Sequence, residues 1–387
     1  MVPWLTERGY GPARSGLVMA VAFGFATVGQ PLLGSITDRM RAPGRLVATV
    51  LFIGSAAIVT FPLAAQRFEL LLFLSFVFSL STISLPAVLD AWIMTRRVHN
   101  RDVNYGAARA AGSFGFAAGG VLIGLLANRF GLGVVFPASL LLAVGAAAVS
   151  LRISRAATDD AQSSESPPHR DDAPRPSAVD ENEIGASNHL AAALRAVVSS
   201  KAYLTLIASS FLAITGLRAA LTFLPFLIES LGGSVAAVGT AYSIAALSEV
   251  PFFVFAAYLH RRVRGHRLIS AILAVMALRI FLYTLLGSYH AVLLLQLSHG
   301  ATFGLFLATS VDYVHEIAPE EHHGFFQALG PSIYFGLGSI VGSWLGGVLI
   351  EALSVIWLYR IAAIITLTGA LLPALLVNTR VMRLRRG

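Results

Sequence analysis

The sequence predicts an all-α integral membrane protein of about eleven transmembrane helices, arranged as two related bundles of five and then six. Three observations predict it. Of 387 residues, 56% are hydrophobic and 12% charged, against ~25% charged in an ordinary soluble domain, and the mean hydropathy is +0.74. Apolar stretches long enough to cross a ~30 Å hydrocarbon core, at ~20 residues each, recur along the chain. The basic residues gather in alternate connections between those stretches.

The expected spans are 15–36, 46–64, 70–92, 105–127, 133–151, 203–227, 236–258, 268–287, 290–313, 325–350 and 355–376. Most contain Gly or Pro, which membrane helices tolerate because neighbouring helices satisfy the freed backbone groups. The 35 glycines suit close helix packing in lipid.

Arginine placement sets the orientation. One family of connections holds Arg39, Arg41 and Arg45; Arg96, Arg97 and Arg101; six basic residues between Arg152 and Lys201; Arg261, Arg262, Arg264 and Arg267; and Arg380, Arg383, Arg385 and Arg386. The opposite side has only Arg8, Arg14, Arg67 and Arg129. By the positive-inside rule the C-terminus is cytoplasmic, and an odd number of spans puts the N-terminus outside. The chain is expected in the cell membrane as a multi-pass protein, with the lipid bilayer as its surroundings, as a monomer.

The pI near 10.2 raises nucleic acid as a partner. The arginines lie in short loops rather than one solvated patch, which excludes it. With no cysteine there is no disulfide and no thiol metal site. Residues 1–14 are polar and of mixed charge, unlike a signal peptide. No HExxH, GxSxG or Walker loop is present, so no enzyme is expected. His322-His323, beside Glu320-Glu321, is a poor metal candidate because adjacent side chains diverge.

Residues 152–202 form the one long connection. Asp159, Asp160, Glu165, Asp171 and Asp172 alternate there with Pro167, Pro168, Pro174 and Pro176, a composition that cannot bury a core. It reads as a cytoplasmic linker, with a short surface helix at 189–199. It divides the chain into an N-terminal bundle, 1–151, and a C-terminal bundle, 203–387. The halves look related. Phe114-Gly115 matches Phe335-Gly336, the basic loop 38–45 matches 260–267, and Asp90 matches Asp312, all at offsets near 221. Paired halves are the architecture of secondary transporters, whose substrate site lies between them near the midplane. The first half lacks one helix at its start.

Gly34-Ser35-Ile36-Thr37-Asp38-Arg39, followed by Gly44-Arg45, resembles the GxxxDR…GR loop signature of the major facilitator superfamily, with two extra residues before Gly44. Pro86 to Trp92, then Tyr105-Gly106-Ala107-Ala108-Arg109 through Gly115, resembles the sugar-binding fourth and fifth helices of lactose-permease relatives. Ser248-Glu249-Val250-Pro251 resembles the eighth helix of nucleoside–proton symporters and phenylpropionate-permease-like proteins. Arg279, then His299-Gly300-Ala301-Thr302-Phe303-Gly304, resembles their ninth and tenth helices. The resemblance implies a twelve-helix fold of which the first helix is missing here, and a coding region that continues upstream of Met1. It also implies alternating access for a small-molecule substrate, with no cofactor beyond a proton gradient.

Only Asp90, Glu249 and Asp312 among the acidic residues fall within or at the ends of spans. An ionisable group at the bilayer centre costs ~2.5–3.5 kcal/mol on insertion scales, which marks it as a functional candidate. The resemblance makes Asp90 and Arg109 a pair that binds substrate hydroxyls; a pair that merely holds two helices together is the other reading. Glu249 sits mid-span beside Pro251, and a carboxyl kept from water holds its proton more tightly, as a reversible carrier must. Arg279 and His299 are its expected partners. Gln296, His299 and Thr302 recur every three residues and share one helix face. Substrate binding is therefore expected of Asp90, Arg109, Glu249, Gln296 and His299, and proton coupling of Glu249, Arg279 and His299. Gly34, Asp38, Arg39 and Arg45 are expected to form a cytoplasmic gate. The lactose-permease relatives carry a glutamate where this chain has Thr302, so either Glu249 takes the proton or the protein is a facilitator. An efflux antiporter and a non-transporting sensor are the remaining readings. Sugar, nucleoside and aromatic acid fit equally as substrate.

Overall fold

The computed structural model describes residues 1–40, 43–86, 88, 89, 92, 93, 105–163, 183–260 and 262–384, and every regular element among them is helical. Eleven long helices follow the expected spans. The first, α1, runs Pro12–Gly24 and, past a break at Phe25, Ala26–Arg39; α2 is Pro43–Thr60, α3 Phe68–Ile83, α4 Tyr105–Phe130 and α5 Val135–Ser163. After the linker come α6 Lys201–Thr222, α7 Val235–His260, α8 Gly265–Leu282, α9 Tyr289–Ile317, α10 Glu320–Ala352 and α11 Val355–Leu384. Among the described residues ten of these meet the length and hydropathy of a membrane crossing; α3 is apolar but shorter, with described residues continuing to Ile93. The surface helix expected near 189–199 is Glu183–Ser199.

The two halves meet along two helix pairs, α1 with α10 and α4 with α7. In the repeat read from the sequence, α1 corresponds to α7 and α4 to α10, so exchanging the halves turns one pair into the other. The match extends to single residues. A Cβ on Gly16 would strike the Ser343 carbonyl and lie 3.3 Å from Gly347 Cα. A Cβ on Gly239 would strike the Gly120 carbonyl and lie 3.3 Å from Gly124 Cα. The partners are related by one offset of 223: 16 to 239, 120 to 343, 124 to 347. Only glycine lets these backbones approach so closely. Ser243 Oγ also donates to the Ala117 carbonyl at 2.7 Å, and a Glu351 oxygen accepts from the Ala13 N–H at 3.0 Å, capping the first turn of α1 from the other half. All these contacts lie toward the end of the molecule that carries Pro12, Phe130, Val235 and Ala352. The N-terminal segment covers the first half at that end, with Trp4 packed 5.0 Å from the Phe136 ring and Tyr10 Oη donating to Ala65 at 2.9 Å.

A second symmetry is local. Of three π-helical segments among the described residues, Ser79–Ile83 in α3 and Gly300–Gly304 in α9 are related by the offset 221 (79 to 300, 83 to 304), while the third, Ser332–Leu337 in α10, has no π-helical counterpart in α4. Gly300–Gly304 lies in the candidate site.

The halves also differ in packing. In the second half α6 is the most enclosed helix, packed on α10 and α11. Gly338 and Gly342 of α10 abut Ile214, Thr215 and Arg218 of α6, while Gly115 and Gly119 of α4 meet nothing within 4 Å. Among the described residues no helix takes against α4 and α5 the place that α6 takes against α10 and α11.

Candidate functional site

Arg279 lies in the last turn of α8, 2% exposed. Burying a guanidinium away from water costs several kcal/mol unless its donors are met, and here four acceptors meet it. One terminal nitrogen lies 2.8 Å from His299 Nδ1 and 3.4 Å from Thr302 Oγ1. The other donates to Tyr283 Oη at 2.8 Å and to Gln296 Oε1. The three α9 partners are spaced by three residues, and Tyr283 is one turn beyond Arg279 on its own helix, a spacing that puts both on one face. Among the described residues no carboxylate pairs with Arg279. Its Nε and the Gln296 Nε2 have no protein partner.

The arginine fixes the histidine. A guanidinium has donors only, so His299 Nδ1 must be the acceptor, and the ring proton then resides on Nε2. That nitrogen faces Glu249 Oε1 at 3.4 Å. The order Arg279, His299, Glu249 thus runs from α8 through α9 to α7, with a neutral imidazole between a cation and a carboxylate. Side-chain exposure rises along it, from 6% at His299 to 21% at Glu249, so Glu249 is the end of the chain open to its surroundings. The Phe303 ring stacks on His299 with centroids 5.2 Å apart.

The π-helical segment sets this geometry. A π turn shifts the backbone ladder and frees polar groups. The freed Gly300 N–H donates across the helix interface to Ser248 Oγ at 2.9 Å. A Cβ on Gly300 would collide with the Ser248 carbonyl, so glycine is needed there for α9 to sit against α7. Gly304, one turn on, faces Glu249 Cα, Cβ and Cγ, each at 3.4 Å from where its Cβ would be. The motif Ser248-Glu249 therefore does two jobs: the serine anchors α7 on α9, and the glutamate meets the histidine.

A second cation is near. Arg218 of α6 places its guanidinium 5.3 Å from the Phe23 ring of α1, across the boundary between the halves. Its Nε is enclosed without a partner, as is Thr215 Oγ1.

Of the residues singled out in the sequence, Glu249, Arg279, Gln296 and His299 come together, with Thr302. Asp90 lies outside the described residues, as do the side chains of Arg109, Asp38 and Arg39. Gly34 has open space around it, and Arg45 is exposed in the first turn of α2. Asp312 is exposed, and Arg360 rests over the Trp357 ring at 5.0 Å. No group of three metal-ligating side chains occurs among the described residues. A cavity of about 400 Å³ lies where Pro3, Glu7 and Asn128 face Phe226, Glu229 and Val235, away from Arg279. The sequence reading missed Tyr283, whose signal was its position four residues after Arg279. It also missed the bond from Gly300 to Ser248, which follows from a π turn that no local pattern announces.

Two repeat-related helical bundles that meet on glycines, the second holding a buried polar cluster, define a multi-pass membrane transporter of the major facilitator type. The chain belongs to the MFS_1 like family, whose model matches residues 1–361. It is 26% identical over 370 residues to the maltose permease of Geobacillus stearothermophilus, covering 95% of this chain and 86% of the permease. It is 21% identical over 367 residues to the uncharacterized transporter YwbF of Bacillus subtilis (strain 168), covering 94% and 84%. Two crystal structures of the nucleoside transporter NupG share the fold, one of them a mutant. They superpose with TM-scores of 0.74 and 0.65 at 16% and 15% identity, each over 95% of this chain and 91% of the other.

Proposed function

We propose that this transporter is a proton-coupled symporter of a small solute, with Glu249 as the proton carrier, His299 as its relay and Arg279 as the fixed cation behind them. The observation that carries the reading is the Arg279–His299–Glu249 chain: among the described residues the arginine has no carboxylate of its own, so its charge acts through the imidazole on Glu249. A proton on Glu249 removes the carboxylate; its departure restores a carboxylate–imidazole–guanidinium alignment that the cation favours. Gln296 and His299, beside Glu249, serve the substrate, and Asp90 and Arg109 bind it as well. The maltose and nucleoside named for the relatives, and the aromatic acid suggested by the motif resemblance, are the solute types to test.

Movement follows the alternating-access scheme of two bundles rocking about a central site. The bundles are 1–151 and 203–387, joined by the linker 152–202. The arginine distribution orients Pro12 and Ala352 to the outside and the C-terminus to the cytoplasm. On that orientation the glycine contacts close the outer side, and Gly34, Asp38, Arg39 and Arg45 form the inner gate. Thr302 supports a second reading, a facilitator, since it is a hydroxyl where lactose-permease relatives carry a carboxylate.

The experiment is solute accumulation in proteoliposomes under an imposed proton gradient, repeated with an uncoupler. Symport predicts uphill uptake that the uncoupler abolishes. Uptake that only equilibrates, with or without the uncoupler, means facilitation.

A further inference from the structure

We infer that Arg218 binds an acid group on the transported solute, so that the substrate is a small organic anion. The inference rests on the transporter reading above and narrows its substrate class.

Arg218 is the half-buried cation that the relay does not use. It sits on α6 in the second half and reaches Phe23 of α1 in the first, so it lies on the boundary between the two bundles. Among the described residues it has neither an ion pair nor a hydrogen bond to its guanidinium, and its Nε is fully enclosed. Thr215, one turn earlier on the same face, is 3% exposed and its hydroxyl is also unfilled. Two adjacent hydrogen-bonding groups on one helix face therefore await a partner.

Charge counting points the same way. Arg218 and Arg279 are both cations, His299 is neutral by its contact with Arg279, and among the described residues Glu249 is the one carboxylate that meets this cluster, through His299. One positive charge is left over. The face of Phe23 attracts the guanidinium, but an aromatic ring fills none of its N–H donors. A carboxylate fills two at once in the fork geometry peculiar to arginine, and a phosphate does the same. A neutral sugar or nucleoside would leave Arg218 uncompensated.

The test compares matched pairs by thermal unfolding of the purified protein: glucuronate with glucose, 3-phenylpropionate with 3-phenylpropanol, and uridine monophosphate with uridine. The inference expects at least one acid to raise the unfolding temperature while its neutral counterpart does not; the carboxylate and phosphate arms tell the two acid types apart. Arg218→Gln is expected to abolish that response. Arg218→Lys, which keeps the charge but loses the fork and stays foldable if the Gln variant does not, is expected to weaken acid affinity about tenfold or more. Stabilisation by neutral members equal to that by acids, no stabilisation by any acid, or an acid response unchanged in both variants overturns the inference. Counterflow with the same pairs separates the two claims: acid binding that depends on Arg218 without any transport contradicts the symport reading alone.

Discussion

His299 Nε2 lies 3.4 Å from Glu249 Oε1, and this contact ties α9 to α7 at the place where the backbone of α9 is π-helical. The tautomer that makes it possible is imposed from the other side of the ring, where Arg279 offers only donors to Nδ1. In the proposed mechanism a proton arriving at or leaving Glu249 is felt at Arg279 through a single imidazole; the contacts themselves link α7, α8 and α9.

Arg279→Lys should disable the relay while keeping the charge. An ammonium cannot span His299, Thr302, Tyr283 and Gln296 at once, and a charged hydrogen bond is worth ~1.5–3 kcal/mol. Uphill uptake is expected to fall about tenfold to a hundredfold, with the protein still membrane-inserted by gel-filtration profile. Uptake within twofold of wild type would show that the fork is not needed.

The glycine crossings give a test of the symmetry. Gly239→Val and Gly16→Val each drive a side chain into a carbonyl on the facing half, and overpacking of this kind costs ~1–3 kcal/mol. Both should shift the population away from the conformation described, and by similar amounts because the crossings are repeat-related. The chain has no cysteine, so Ser343→Cys, at a buried position, reports the opening without background. Its labelling by an impermeant maleimide is expected to quicken about fivefold or more in either valine variant. An unchanged rate in both would mean that this end does not open.

Much of this was legible in the sequence, for identifiable reasons. Hydropathy located the ten helices long enough to cross a bilayer because the bilayer sets their length, and it also located the shorter apolar α3. The offset near 221 anticipated which helices correspond, and the three-residue spacing of Gln296, His299 and Thr302 anticipated their common face. The role of Gly16, Gly120, Gly124 and Gly239 was not visible among 35 glycines, since which of them face another backbone depends on how the bundles cross. Nor did composition reveal that Ser248 would take up the Gly300 N–H. The isolation of Arg218 is likewise a tertiary fact: a lone arginine reads the same whether or not a carboxylate packs beside it.

Orientation is tested separately. Reporter fusions at Gly387 and before Met1 are expected to be active on the cytoplasmic and outer sides respectively, following the concentration of arginine in alternate loops. A C-terminal fusion active only outside would reverse the assignment of inner and outer gates.

The central claim is that Glu249 carries the proton, and Glu249→Gln in proteoliposomes tests it most directly. Glutamine keeps the length of the side chain and can still accept from His299 Nε2, but it cannot titrate. The account predicts that uphill accumulation under a proton gradient is lost while exchange of labelled for unlabelled solute across the membrane persists within severalfold of wild type. Uphill accumulation that survives in the glutamine variant would contradict it.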